Sequence, residues 1–181
     1  NKPGNVYLGL VHRLDRPVGG VMVFAKTSKA ASRLSEQVRN KTFKKEYLAI
    51  VDGKLDVKSG ILEDYLVKNE KNNSSKVTNK ETKNAKYAKL DYEVLKYNKE
   101  INLSVLRILL HTGRHHQIRV QLANIGHSIC GDQKYGTRGR GKQISLWAYK
   151  LTIEHPITKE SMTFIDVPEK IGPWVILEDI M

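Results

Sequence analysis

Residues 101–110, Ile-Asn-Leu-Ser-Val-Leu-Arg-Ile-Leu-Leu, place apolar side chains on nearly both sides of an extended chain. Such a strand has no face to give to water, so it belongs in the middle of a sheet covered above and below. That requirement fixes much of what surrounds it. Residues 87–97 supply a partner strand, joined to it through the turn Tyr97-Asn98-Lys99-Glu100. Residues 45–51 form another strand, closed by Asp52-Gly53, and residues 60–67, 144–155 and 162–167 have the same character. Helical spacing of Ala31, Leu34, Ser35 and Val38 predicts a helix over 28–40, capped by Thr27 or Ser28, with Lys29, Arg33, Gln37 and Lys41 facing outward. Ile118, Leu122 and Ile125 predict a second helix over 115–125, closed by Gly126 and His127. A short helix is expected over 173–181, and the Lys- and Asn-rich stretch 68–86 is expected to be an exposed loop or ragged hairpin. The class is α/β (α+β), one domain over residues 1–181 with a mixed, mostly antiparallel sheet.

The charge balance narrows the partners. Among 181 residues, Lys and Arg number 31 against 19 Asp and Glu, giving a net charge of +12. A folded domain with that excess points to a polyanion, nucleic acid first and an anionic membrane second. Cys130 is the only cysteine, so no disulfide framework or cysteine metal cluster forms, and a reducing, cytoplasmic setting is expected. No run approaches the roughly 20 apolar residues of a membrane span, and no signal peptide pattern is present. The chain starts at Asn1, as a fragment or a trimmed chain would.

Three stretches carry chemistry. His12-Arg13-Leu14-Asp15-Arg16-Pro17-Val18-Gly19-Gly20 sets one carboxylate between two arginines, then a proline, two glycines and the apolar run 21–26. Pro17 fixes φ and the glycines admit unusual backbone, so Asp15 is expected on a constrained loop feeding a buried strand. That placement suits a nucleophile or general base. It equally suits a structural ion pair, which is the commoner occurrence for loop Asp and Arg. Thr112-Gly113-Arg114-His115-His116-Gln117-Ile118-Arg119 ends a strand and opens a helix, a terminus that attracts anions. His115 and Arg119 stand four apart and are expected on one helix face, with Arg119 half-buried beside Ile118 and able to meet a carboxylate from another loop. No third ligand has metal-site spacing beside the histidines, so zinc is not expected. In Lys45-x-Tyr47-x-Ala49-x-Val51-x-Gly53, alternation puts Lys45, Tyr47 and Ala49 on one strand face. Tyr47 there is a core residue, a stacking platform for a base, or a hydroxyl at a reacting carbon.

Taken together, the chain resembles the RluA-type family of RNA pseudouridine synthases, from His12 to about Gly136 and more loosely beyond. The family's His-Arg-Leu-Asp motif is present at residues 12–15, with Gly20 matching and Val18-Gly19 standing where the family has Thr-Ser. The Lys-x-Tyr-x-Ala-x-Val-x-Gly strand matches in full. The Thr-Gly-Arg-Thr-His-Gln-Ile-Arg-Val-His motif matches except for His115 and Gln121, and Gly131-Asp132-x-x-Tyr135-Gly136 matches the next loop.

The resemblance implies a bent central sheet with a cleft across its middle. Asp15 would be the catalytic aspartate, Tyr47 would stack on the target uracil and serve as a base, and Arg119 would hold Asp15 by a salt bridge. Arg13 would enter the RNA as the base flips out. It implies RNA contacts from Arg16, Arg114, His115, His116, Gln117 and the basic loop with Arg138, Arg140 and Lys142. No metal or cofactor is implied, and a monomer acting on ribosomal or transfer RNA is expected. Asn1-Lys2-Pro3-Gly4 sits too close to Asp15 to be the family's upstream strand motif, so the family's first strand and any S4-like domain are expected to be missing. An RNA-binding module of the same fold without turnover, and an interaction protein with no RNA, are the alternatives; the charge fits the second of these poorly.

Overall fold

The computed structural model describes residues 6–136, 143–178 and 180. The apolar stretch 101–110 forms strand β8 (Leu103–Leu110), and it is central. The sheet runs β10-β9-β4-β8-β7-β5-β6, with β4 (Lys44–Asp52), β5 (Ser59–Asn69), β6 (Ser74–Thr78), β7 (Lys86–Asn98), β9 (Leu146–Glu154) and β10 (Ser161–Ile165). Every pairing along that path is antiparallel. Both faces of the centre are dry. Tyr47, Ala49, Leu106, Ile108 and Leu90 pack on one side, and Leu48, Ile50 and Val105 on the other. The six Leu, Ile and Val side chains among these are fully buried and contribute roughly 1.5–3 kcal/mol each against exposure.

Helix α1 (Ser28–Arg39) matches the expected span, and the Thr27 hydroxyl caps it by accepting from Ala30 N at 3.1 Å. Gln37 departs from its expected outward position. It is buried, donating to the Glu154 carbonyl at 2.7 Å and accepting from Glu154 N at 2.9 Å, so it pairs with the β9 backbone as another strand would. The stretch 68–86 holds a hairpin rather than an open loop, because β6 pairs with β5 from Tyr65↔Thr78 to Asn69↔Ser74. The expected strand 21–26 shrinks to β3 (Phe24–Ala25), paired with β1 (Gly9–Leu10) outside the main sheet. The closing segment is a 3-10 helix (Gly172–Leu177) that lays Trp174 and Ile176 on the second face.

Helix α2 (Gln117–Asn124) is shorter than the expected 115–125. His116 takes a left-handed backbone, φ 55°, which a continuing helix does not allow. His115 therefore precedes the helix and shares no helical face with Arg119. Ile125 is exposed, and Gln117 through Leu122 are all buried, so α2 is enclosed all round rather than striped. Ile118 and Leu122 join the main cluster while Val120 packs with Leu66 and Ala88. Polar groups enclosed this way need partners. Gln121, at the position where the resemblance has histidine, donates to Asp64 Oδ2 at 2.7 Å. Among the described residues no helix is long and apolar enough to cross a membrane.

Candidate active site

The loop bearing Asp15 is anchored at both ends. Behind it, β1 pairs with β3. Ahead, β2 (Gly19–Gly20) runs parallel to β9, Gly19 opposite Trp147 and Gly20 opposite Ala148. The turn between is closed by Val18 N donating to the Asp15 carbonyl at 2.9 Å. Leu14 and Val18 pack against the main core, which leaves Asp15 to point elsewhere. The glycines are dictated by β9. A Cβ on Gly19 would lie 2.3 Å from the Trp147 ring, and Gly20 has φ 115° with the Ala148 carbonyl oxygen 2.3 Å from where its Cβ would be. The departure from Thr-Ser at 18–19 thus accompanies a tryptophan that occupies the space of a side chain at position 19.

Asp15 lies where the loop crosses α2. Arg119 Nη1 donates to Asp15 Oδ2 at 3.2 Å, and His116 Nε2 stands 3.2 Å from Asp15 Oδ1. The two arginines adjacent to Asp15 in sequence are not its partners; Arg13 and Arg16 are exposed. Arg119 is itself held from behind. Its Nε donates to Asp132 Oδ2 at 2.7 Å and its Nη2 to Asp132 Oδ1 at 2.5 Å, a bidentate pair. Lys134 N and Tyr135 N also donate to Asp132 Oδ1, at 2.8 and 3.0 Å. Burial pushes the Asp132 carboxyl up, but the Arg119 hydrogen bonds, the two backbone N–H groups and the guanidinium charge outweigh it and leave it below its ordinary value. The Arg119 guanidinium, disfavoured by burial, is pushed up by the two carboxylates.

Tyr47 sits on β4 beside a register shift against β9 between Glu46 and Tyr47, an irregularity of the kind that re-aims side chains. It is buried, and burial first and the Asp15 charge second push its phenol up to about 12. A phenol so placed keeps its proton near neutrality. His116 is held down to about 4, by burial first, with His115, Arg119 and Lys134 adding and Asp15 opposing. It is therefore neutral, and its approach to Asp15 is a close polar contact rather than an ion pair.

A cleft of about 870 Å³ opens over these groups. Asp15, Tyr47 and Arg119, predicted together, do converge on it, and Arg13, Arg114 and Lys45 line its wall. His115, His116 and Gln117 line it too, although Gln117 is engaged by the backbone, donating to the Lys89 carbonyl at 3.1 Å and accepting from Arg114 N at 3.0 Å. Arg16 is not part of the lining. Arg138, Arg140 and Lys142 fall outside the described residues. Three contributors had no role assigned from sequence: Asp132, Tyr135 and Ser75. The first two stood in a recognised motif, and an aspartate just ahead of two free backbone N–H groups is a turn signal. Ser75 carried no signal, since its neighbours are polar and basic.

The sequence and the fold have counterparts in known proteins. The family described as RNA pseudouridylate synthase matches residues 1–124. The chain is 37% identical over 153 residues to an uncharacterized RNA pseudouridine synthase of Bacillus subtilis, covering 83% of this chain and 49% of that protein. It is 33% identical over 171 residues to the ribosomal large subunit pseudouridine synthase C of Haemophilus influenzae, covering 90% and 52%. It is also 33% identical over 171 residues to the tRNA pseudouridine synthase C of that organism, covering 84% and 71%. The fold is similar to that of human RNA pseudouridylate synthase domain containing 1, with TM-score 0.79 at 22% identity over 92% of this chain and 71% of that one. The chain spans about half the length of several of the curated relatives it matches. With the motifs, the sheet and the cleft in agreement, the chain belongs to the RNA pseudouridylate synthase family.

Proposed function

We propose that this chain isomerises uridine to pseudouridine in structured ribosomal or transfer RNA, with Asp15 as its catalytic aspartate. The observation that carries this reading is a carboxylate fixed by Arg119 and His116 at the wall of a cleft shared with Tyr47. The net charge of +12 favours a polyanionic substrate, and the relatives' names supply both ribosomal and transfer RNA.

A uridine inside a stem must leave the stack before its glycosidic bond is reachable. Arg13, exposed at the cleft, is the residue that fills the vacated space. The flipped uracil stacks on Tyr47. The N1–C1′ bond breaks, the uracil turns, C5 bonds to C1′, the C5 proton leaves and N1 gains one, so atoms balance without a co-reactant. Two routes are open to Asp15: attack on C1′ to give a covalent adduct, or removal of the 2′ proton to give a glycal. In both, Arg119 keeps the carboxylate aimed. Tyr47, with its phenol pushed up to about 12, contributes its ring rather than a base near neutrality.

The test is Asp15→Asn, incubated with total RNA from a strain lacking the protein, with pseudouridine mapped by carbodiimide-dependent reverse-transcription stops. The wild-type chain should create stops that vanish in the variant while RNA retention stays near wild type. Stops that persist in Asp15→Asn would remove Asp15 from the mechanism. RNA bound by both proteins without stops would leave a binding module.

A further inference from the structure

Tyr135, His116 and Asp15 stand in a row of close polar contacts, a hydrogen bond between Tyr135 and His116 and a 3.2 Å approach of His116 to Asp15. At one end, Ser75 N donates to Tyr135 Oη at 2.7 Å. A backbone N–H can only donate, so the phenol oxygen accepts there and its own proton is free to point elsewhere. Tyr135 Oη lies 2.8 Å from His116 Nδ1. At the other end, His116 Nε2 lies 3.2 Å from Asp15 Oδ1. A ring-nitrogen lone pair facing a carboxylate at that distance is repelled, so Nε2 carries the hydrogen, and a neutral imidazole then presents Nδ1 as an acceptor to the Tyr135 hydroxyl.

We propose that Tyr135 acts as a positioning residue for the isomerisation: it locks His116 in the neutral Nε2–H tautomer, so that His116 keeps an N–H, not a lone pair, beside Asp15 Oδ1. This rests on Asp15 being the catalytic group. Asp15 then has one oxygen hydrogen-bonded by Arg119 and the other within 3.2 Å of the His116 ring nitrogen that bears the hydrogen. His116 in this state cannot take a proton at Nε2, so the base work stays with Asp15.

The surroundings are built for that tautomer. The groups facing His116 are Asp15 from its loop, Arg119 from α2, Lys134 and Tyr135 from the loop after α2, and His115, whose ring stacks on it with centroids 3.7 Å apart. His115 is fixed in turn, with Ser75 Oγ 2.9 Å from its Nδ1 and donating to its carbonyl at 2.8 Å. The Arg119 guanidinium lies 5.2 Å from the centre of the Tyr135 ring. Burial raises the Tyr135 phenol above its ordinary value, so it keeps the proton it donates. The Ser75 contact is made by the backbone, and β6 therefore delivers it whatever side chain stands there.

The experiment compares the wild-type chain with Tyr135→Phe, His116→Gln and His116→Ala. Nitrogen-15 NMR of the imidazole in the free protein reports the tautomer with no reference to activity. The wild type should show His116 protonated at Nε2 and bare at Nδ1. Tyr135→Phe should lose that fixed state and show exchange between the two tautomers, with kcat down about tenfold and KM for RNA unchanged. His116→Gln, which restores a neutral donor near the Nε2 position, should keep more kcat than His116→Ala at matched thermal stability. A wild-type His116 protonated at Nδ1, or a Tyr135→Phe variant with unchanged tautomer and kcat, overturns the proposal. If the tautomer result holds while Asp15→Asn remains active, the relay stands and the assignment of Asp15 falls.

Discussion

Replacing Asp132 by Asn tests the foundation of the site. The side chain is fully enclosed and accepts from Arg119 Nε, Arg119 Nη2, Lys134 N and Tyr135 N. Asparagine has the same shape but a single oxygen. Set where Oδ1 was, it keeps Nη2 and the two backbone donors, and its amide then faces Arg119 Nε–H, donor against donor. Arg119 stays buried with only Asp15 to balance it, and Asp15 is partly open to water. Removing one partner of a buried pair destabilises by about 3–5 kcal/mol, whereas an exposed pair contributes about 0–1. For a domain of this size that corresponds to a melting temperature lower by roughly 6–20 °C. Linkage adds a second signature. The folded pKa of Asp132 lies below its unfolded value, so its stabilisation is present above the unfolded carboxylate range and is lost as pH falls through the folded pKa. Thermal melts of both proteins at neutral pH and in mild acid are the assay. The gap between them should narrow toward acid. A variant melting within a degree or two of wild type at neutral pH would refute the view that Asp132 carries Arg119.

Gly20→Ala combines a strained φ with a 2.3 Å approach to the Ala148 carbonyl, whereas Gly126 at φ 85° has nothing within 4 Å. Gly126→Ala should lose about 1–3 kcal/mol from backbone strain, and Gly20→Ala should melt lower still; equal melting temperatures would show that β2 does not hold the Asp15 loop closely. Tyr47→Phe should leave the alkaline side of the kcat profile unchanged up to about pH 10, because the phenol it removes is pushed up to about 12; a lost alkaline limb would make Tyr47 a base. His12, held down to about 4 by burial and then by Lys45, and His116, also about 4, both fold as neutral rings. Unfolded histidine binds its proton near 6.5, so their stabilisation is complete above that value and declines as pH falls toward about 4. Urea midpoints should fall across that window, and His12→Gln should flatten the fall; an unaltered slope would show that His12 is protonated in the folded state.

Local pattern made much of this fold legible. The doubly apolar 101–110 demanded a central position and has one, and Thr27 announced the start of α1. The motifs also brought Asp15, Tyr47 and Arg119 to one cleft. The Asp15–Arg119 pair, 104 residues apart, was expected through the motifs, whereas the local window offered Arg13 and Arg16 as counter-charges. Other contacts across distance failed to show. The strand expected at 21–26 is cut short because Gly19 and Gly20 spend their pairing on β9, a partner no local window contains. Gln37 and the enclosed face of α2 look solvent-facing by periodicity, and only tertiary hydrogen bonds bring them inside. His116 delays the start of α2 through a backbone state for which histidine is only mildly suited.

The parallel pairing of Gly19–Gly20 with Trp147–Ala148 has a consequence for how the molecule comes into being. On a ribosome the Asp15 segment emerges well before the strand that clamps it, since Gly19 pairs with Trp147. Loop closure over such a span is slow compared with forming the neighbouring hairpins. The central strands therefore have time to assemble before the catalytic loop is seated. A nascent chain stalled before β9 would present a formed sheet and an unfastened aspartate. Competence for chemistry would then be acquired in one step, when β9 has been made and has paired with the loop.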